Sequence, residues 1–173
     1  MKNTGQCDAL PPNIEGEGSD MKLTSHTNYA IRMLMFCATK QQLATVSEIA
    51  RFYDLPEKFL FKILGGLTNL DFIETVRGRN GGIRLSQPAD QIRLGDVVRQ
   101  VEENFEMAEC FREGDVNCPL VATCGMNEAL TRALQAFFDV LNEYTIADLI
   151  RKDHNINVLL ELNMAMQEPL QRH

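Results

Sequence analysis

The stretch from Thr45 to Ser86 constrains this chain more than any other. Thr45-Val46-Ser47-Glu48 is a capping box: a Thr hydroxyl accepts from the backbone N–H three residues on, while the Glu carboxylate reaches back, so a short helix begins here. Val46, Ile49, Ala50 and Tyr53 fall on its inward side. A turn at Asp54-Leu55 follows, and Pro56, fixed in φ and lacking an N–H, suits the first turn of a longer helix. On that helix Leu60, Ile63, Leu64 and Leu67 share the core face, which leaves Glu57, Lys58, Phe61 and Lys62 outward. Short helix, brief turn and longer helix with an exposed basic pair is the helix-turn-helix layout, whose second helix enters the major groove of DNA.

The residues that follow extend this reading. Phe72 to Arg77, then Gly78-Arg79-Asn80-Gly81-Gly82, then Ile83 to Ser86 reads as strand, tight turn, strand, with Asn80-Gly81 as the hairpin signal. A hairpin directly after a helix-turn-helix is a wing. Arg77, Arg79 and Arg84 are expected to gather at its tip, where they suit phosphates or a narrow minor groove. The Gly-rich tip is not a nucleotide loop, because no Gly-Lys-Ser/Thr follows and no helix opens after it. The expected DNA-facing set is therefore Glu57, Lys58 and Lys62 on the second helix, with Arg77, Arg79 and Asn80 on the wing. Gly65-Gly66 lies inside the reading helix, where each glycine costs about 1 kcal/mol relative to alanine and nothing local compensates.

Upstream, a helix capped by Thr24 or Ser25 is predicted to run to about Thr39, with Ala30, Met33, Leu34 and Cys37 on one face. Ile31, Met35 and Ala38 form a second strip, so this helix is expected to be covered on two sides. Cys37 lies on the main strip and reads as a small buried hydrophobe. Downstream, a helix from Leu94 to about Glu103 turns Leu94, Val97, Val98 and Val101 inward. Further on, Leu130, Leu134, Phe137, Leu141 and Tyr144 are spaced 4-3-4-3, with Ala133, Phe138 and Val140 widening the stripe. A helix this apolar must bury its face. A partner helix in a homodimer accounts for that better than the chain's own core, and would match a palindromic site on double-stranded DNA. Thr145 to Asp148 reads as another cap.

Charge divides the chain. Residues 21 to 99 hold eleven Lys/Arg against seven Asp/Glu, net +4, whereas residues 100 to 173 are net -8. The overall charge of -7 thus hides a basic half fit for a polyanion and an acidic half fit for something else. Residues 1 to 20 contain Gly and Pro with almost no apolar periodicity, so a disordered extension is expected, and Cys7 within it is not counted as a ligand. That acidic opening lacks the apolar run of a signal peptide, and no run of about 18 apolar residues occurs, so a cytoplasmic protein without a membrane span is expected.

Between the last two long helices lie Cys110, Cys118 and Cys124, with seven residues between the first pair and five between the second. A reducing compartment and an odd number of thiols both speak against disulfides. Structural zinc would want four ligands, in pairs two to four residues apart, and neither the pairs nor a nearby histidine is present. An iron-sulfur cluster takes thiolates set wider apart, and Cys118-Pro119 matches the Cys-Pro step of some cluster loops. Three free thiols in a loop would have the same spacing. No flavin, nucleotide or substrate motif points to an enzyme.

MKLTSHTNYAIRMLM, SEIARFYDLPEKFLFKIL, ETVRGRNGGIRL and the cysteine loop together resemble the Rrf2 family of winged-helix transcription regulators, from Met21 to about Leu160. The resemblance implies a mainly α fold: a winged helix-turn-helix over 21–92, a cluster-binding loop and dimerisation helices of the same domain over 93–160, and a tail over 161–173. It also implies an iron-sulfur cluster, of the 4Fe-4S type, on Cys110, Cys118 and Cys124, and homodimers that bind a promoter operator through the reading helix and the wing. MAECF, the seven-five spacing, CPL and LNEYTIADL resemble the family's rhizobial iron-regulator branch, in which iron sufficiency means repression of iron-uptake genes. The branches for cluster biogenesis and nitric-oxide sensing usually have five-five spacing. They complete the coordination with a histidine three residues after the last cysteine, or with an aspartate near the start of the first helix. This chain has Asn127 and Asn28 at those places.

Overall fold

The chain is described in a computed structural model at residues 22–40, 42–111, 118–120 and 124–151. The extension over residues 1–20, Cys7 and the tail over 161–173 lie outside the described residues. Among the described residues, six helices and one hairpin occur in the order α1 (Ser25–Thr39), α2 (Val46–Tyr53), α3 (Glu57–Asn69), β1 (Ile73–Val76), β2 (Gly82–Leu85), α4 (Leu94–Val101), α5 (Gly125–Asn142) and α6 (Ile146–Leu149). A short 3-10 turn, Glu109–Phe111, precedes α5.

Local rules set most of the boundaries. The Thr24 hydroxyl accepts from the Thr27 N–H at the start of α1, and Asp54 ends α2 in the left-handed region with φ 52°. At α2 both halves of the capping box form: Glu48 N–H donates to Thr45 Oγ1, and Thr45 N–H donates to the Glu48 carboxylate at 2.7 Å. Lys40 Nζ reaches the same carboxylate at 2.6 Å. Burial works to raise the Glu48 pKa, but the bonds from Lys40 and Thr45 outweigh it and hold the carboxyl below its ordinary value. A second complete capping box, Thr45's counterpart at Thr145 with Asp148, opens α6.

Helix α1 is the centre of the core. Ala30, Met33, Leu34 and Cys37 are buried, as the stripe predicts, and the helix lies against α3, α4, α6 and β2. Ile31, Met35 and Ala38, the second strip, are half-buried against the same core. Burial pushes the Cys37 thiol up to about 12, with Lys40 opposing, so it remains protonated as a small hydrophobe. Leu60, Ile63, Leu64 and Leu67 of α3 complete the core with Ile49, Ile73, Ile83, Ile92, Val97 and Ile146.

The hairpin is antiparallel, with Ile73 opposite Leu85 and Val76 opposite Gly82. An isolated bridge ties it to the segment before α2: Ala44 N–H donates to Ile83 O at 2.9 Å and Ile83 N–H to Ala44 O at 2.8 Å. Gly82 permits this approach, since a Cβ there would overlap the Ala44 carbonyl. A comparable joint fixes the ends of α4 and α5. Arg93 bridges Thr145, Leu94 N–H donates to Tyr144 O, and Gly95 leaves room for the Asn142 side chain.

Thr45→Ala removes one half of the capping box and is expected to cost about 1 kcal/mol, read as a lower urea midpoint. Because the Glu48 pKa is depressed in the fold, its contribution is present above the ordinary value of 4.5 and is lost as pH falls through the folded value. Lys40→Met should therefore flatten the acid limb of the stability profile, while leaving the slope above neutral pH unchanged.

Candidate nucleic-acid interface and cysteine loop

Helix α3 divides as its sequence predicts. Its core residues are buried, while Glu57, Lys58, Phe61 and Lys62 are exposed on the opposite face. No side chain caps its start; Phe59 and Leu60 N–H groups both donate to the Pro56 carbonyl. The helix is held against α1 by an edge-to-face pair between Tyr29 and Phe59, with ring centroids 5.7 Å apart. Arg32 stacks over both Tyr29 and Tyr53, and the Tyr53 hydroxyl donates to the Arg32 carbonyl at 3.1 Å. Burial, opposed by Arg32, pushes the Tyr53 hydroxyl up to about 12, so it stays a donor.

The wing differs from expectation in two details. Its loop spans Arg77 to Gly81 rather than Gly78 to Gly82, and Gly78, with φ 125°, takes the left-handed backbone. Gly81 closes the turn by donating to the Gly78 carbonyl at 3.0 Å, and a Cβ at Gly81 would overlap the Val76 carbonyl. Arg84 does not belong to the tip. It stands opposite Glu74 in the middle of the ladder and forms an ion pair with it. Arg77, Arg79 and Asn80 are exposed in the loop itself. The structure thus presents Glu57, Lys58 and Lys62 on one helix face and Arg77, Arg79 and Asn80 on a neighbouring hairpin, with β1 packed on α3.

The cysteine segment begins where α4 ends. Glu102, the residue after α4, accepts from Thr24 N–H at 3.0 Å and from the Thr24 hydroxyl at 3.2 Å, tying this stem to the start of α1. Sequence reasoning took Thr24 only as a cap and ran the helix from Leu94 through Glu102 to about Glu103. The two are 78 residues apart, so no local signal could join them. Cys110 is half-buried in the 3-10 turn, Cys118 is exposed, and Cys124 is the residue that precedes α5. The two ends of the segment meet, because the Asn127 amide donates to Cys110 Sγ at 3.3 Å.

Among the described residues, no three His, Cys, Asp or Glu side chains converge closely enough to hold a metal ion. The donor set nevertheless fits an iron-sulfur cluster in kind: three thiols from one segment, with an amide N–H directed at one sulfur. Asn28 is exposed on α1, and Asn127 is engaged with Cys110.

The apolar face of α5 is partly open: Val140 is 53% exposed, Met126 and Phe137 are exposed, and so is Tyr144 just beyond the helix, while Leu130, Leu134 and Leu141 are half-buried. Phe138, read as part of that stripe, turns the other way. It is buried beneath Arg99, whose guanidinium lies 4.2 Å from the ring centroid, and beside Phe105.

The Rrf2 family model, described as an iron-dependent transcriptional regulator, matches residues 23–152. The chain belongs to the Rrf2 family of transcriptional regulators. It is 56% identical to Protein aau3 of Rhizobium meliloti (strain 1021) over 143 residues, covering 82% of this chain and 93% of that protein. It is 41% identical to the HTH-type transcriptional regulator NsrR of Bacillus licheniformis over 142 residues, or 81% of this chain and 99% of that one. Among solved structures, Staphylococcus aureus CymR aligns with a TM-score of 0.59 at 26% identity, over 74% of this chain and 97% of that chain. T. potens IscR aligns with a TM-score of 0.58 at 19% identity, over 87% and 93%, a likeness of fold. Rrf2 membership makes this a winged-helix, DNA-binding regulator rather than an enzyme. No helix among the described residues is long and apolar enough to cross a membrane.

Lys62→Ala and Arg77→Ala are each expected to weaken DNA binding and, as phosphate contacts, to lower the salt slope by about one. Fluorescence anisotropy across a salt series reads both quantities, and unchanged slopes would remove these residues from the interface.

Proposed function

We propose that this chain is an iron-responsive regulator, a repressor of iron-uptake genes, which binds operator DNA as a homodimer under control of an iron-sulfur cluster. Cys110, Cys118 and Cys124 would hold the cluster, of the 4Fe-4S type. The observation that carries the reading is the closure of the cysteine segment: the Asn127 amide in the first turn of α5 donates to Cys110 Sγ, so the thiols lie where α4 and α5 are joined. The family description, iron-dependent, and the seven-five spacing support iron as the signal.

When bound, such a cluster supplies an iron-dependent cross-link among the three thiolates. The chain's own residues do the rest. Asn127 orients the Cys110 sulfur, and Glu102 fastens the stem of the segment to the N–H and hydroxyl of Thr24. Neither Asn127 nor Asn28 offers the strong ligand that a histidine or carboxylate would. An iron without such a ligand is the one most readily withdrawn, which suits a sensor of scarcity. The uncovered face of α5 supports a second copy of this chain as partner, and a twofold dimer would set two reading helices on one operator. The 41% identity to a regulator called NsrR favours nitric oxide as a second reading.

Anaerobic purification should give a brown protein with about four irons, which retards an iron-uptake promoter fragment only while loaded. A colourless protein indifferent to iron would remove the mechanism and leave the fold. Asn127→His is expected to slow iron loss to a chelator; an unchanged rate would count against the weak-ligand account. Loss of DNA binding to nitric oxide but not to chelation would favour the second reading. Val140→Asp places a charge on the open face of α5 and should shift sedimentation from dimer towards monomer.

A further inference from the structure

The outward face of α3 has two features that contacts within the chain do not explain. Phe61 is 55% exposed, and among the described residues no ring or cation stacks on it, unlike Phe36, Phe52 and Phe59. One turn further along the same face, Gly65 is exposed, and a Cβ built there would meet nothing within 4 Å. Alanine would fit at Gly65 and would strengthen the helix, yet the chain keeps glycine in mid-helix. At the adjoining Gly66 a Cβ would stand 3.9 Å from His26 Nε2, an ordinary contact, so crowding is not the general reason for this pair.

A face that is apolar at one turn, bare at the next and flanked by Lys58 and Lys62 fits a polyanion that carries an apolar group inside a groove. Duplex DNA is such a ligand. In the major groove the C5-methyl of thymine is the apolar group on the base edges, and phosphates line the rims.

We infer that Phe61 reads a thymine C5-methyl in the major groove, and that Gly65 lets the DNA backbone approach α3 closely enough to seat that ring. The inference rests on α3 being the groove-reading helix, which Lys62 tests by itself. Phe61 is then a specificity residue: it selects sequence, whereas Lys58 and Lys62 supply attraction to any duplex.

The test uses full-length protein purified anaerobically and a duplex that it selects from a random-sequence pool. That duplex is remade with deoxyuridine in place of one thymine at a time, which removes the methyl and keeps every hydrogen-bonding group. Wild-type affinity should fall about fourfold at one or two thymines, the worth of one buried methyl group at about 0.8 kcal/mol. In Phe61→Ser the thymine-to-uracil ratio at those places should fall to about one with the melting temperature unchanged. In Lys62→Ala affinity should drop while the ratio persists. Gly65→Ala should raise the melting temperature by about 2–4 °C and weaken DNA binding about tenfold. No sensitive thymine, a ratio retained in Phe61→Ser, a changed oligomeric state in that variant with the ratio intact, or unchanged affinity in Gly65→Ala each overturns the inference. Affinity unaltered by Lys62→Ala removes α3 from the groove altogether, a failure distinct from loss of the thymine contact alone.

Discussion

Burial of α1 is the constraint from which the other placements follow. Its apolar faces lie against α3, α4, α6 and β2, so the second helix of the helix-turn-helix, the wing and the stem of the cysteine segment are all set against the same fifteen residues. A close-packed interior transmits a shift at one surface to the next rather than absorbing it. Thr24 adds a polar link of the same kind, since the residue that caps α1 also holds Glu102 at the exit of α4. Helix α4, from which the cysteine segment leaves, and the surface that carries Lys58, Lys62, Arg77 and Arg79 are therefore not independent modules. They share a support.

Two glycines show how little slack this support has. Gly82 brings the wing onto Ala44, and Gly95 seats α4 beneath Asn142. At Gly82 a single methyl group would overlap the Ala44 backbone, so the angle of the wing is fixed by the lack of a side chain, while at Gly95 it would displace the Asn142 side chain. Both joints are also stitched by paired backbone hydrogen bonds, at Ala44 with Ile83 and around Arg93 and Thr145.

What the sequence disclosed was what neighbouring residues decide among themselves. The capping boxes at Thr45 and Thr145, the core face of α3 and the buried stripe of α1 follow from spacings of three and four residues, and all appear where expected. What it withheld depends on partners distant in the chain. Arg84 looked like a wing-tip cation, but strand register sets it opposite Glu74. Phe138 looked like part of the open stripe of α5, yet Arg99 and Phe105 draw it inward. The family was legible from the cysteine spacing together with the helix and hairpin motifs. The approach of Asn127 to Cys110 was not, because it depends on how α5 returns to the 3-10 turn.

The joint at Gly95 and Thr145 also determines how α5 can respond. The eighteen residues of α5 span about 27 Å. One end is clamped by the Arg93 bridge, by Tyr144 and by Phe138 under Arg99, while Cys124 stands at the other. The helix is thus anchored in the core at one end, with Cys124 at the other. Over that length a tilt of about ten degrees moves the far end by about 5 Å. A displacement at Cys124 therefore reaches the clamped end as a change of angle.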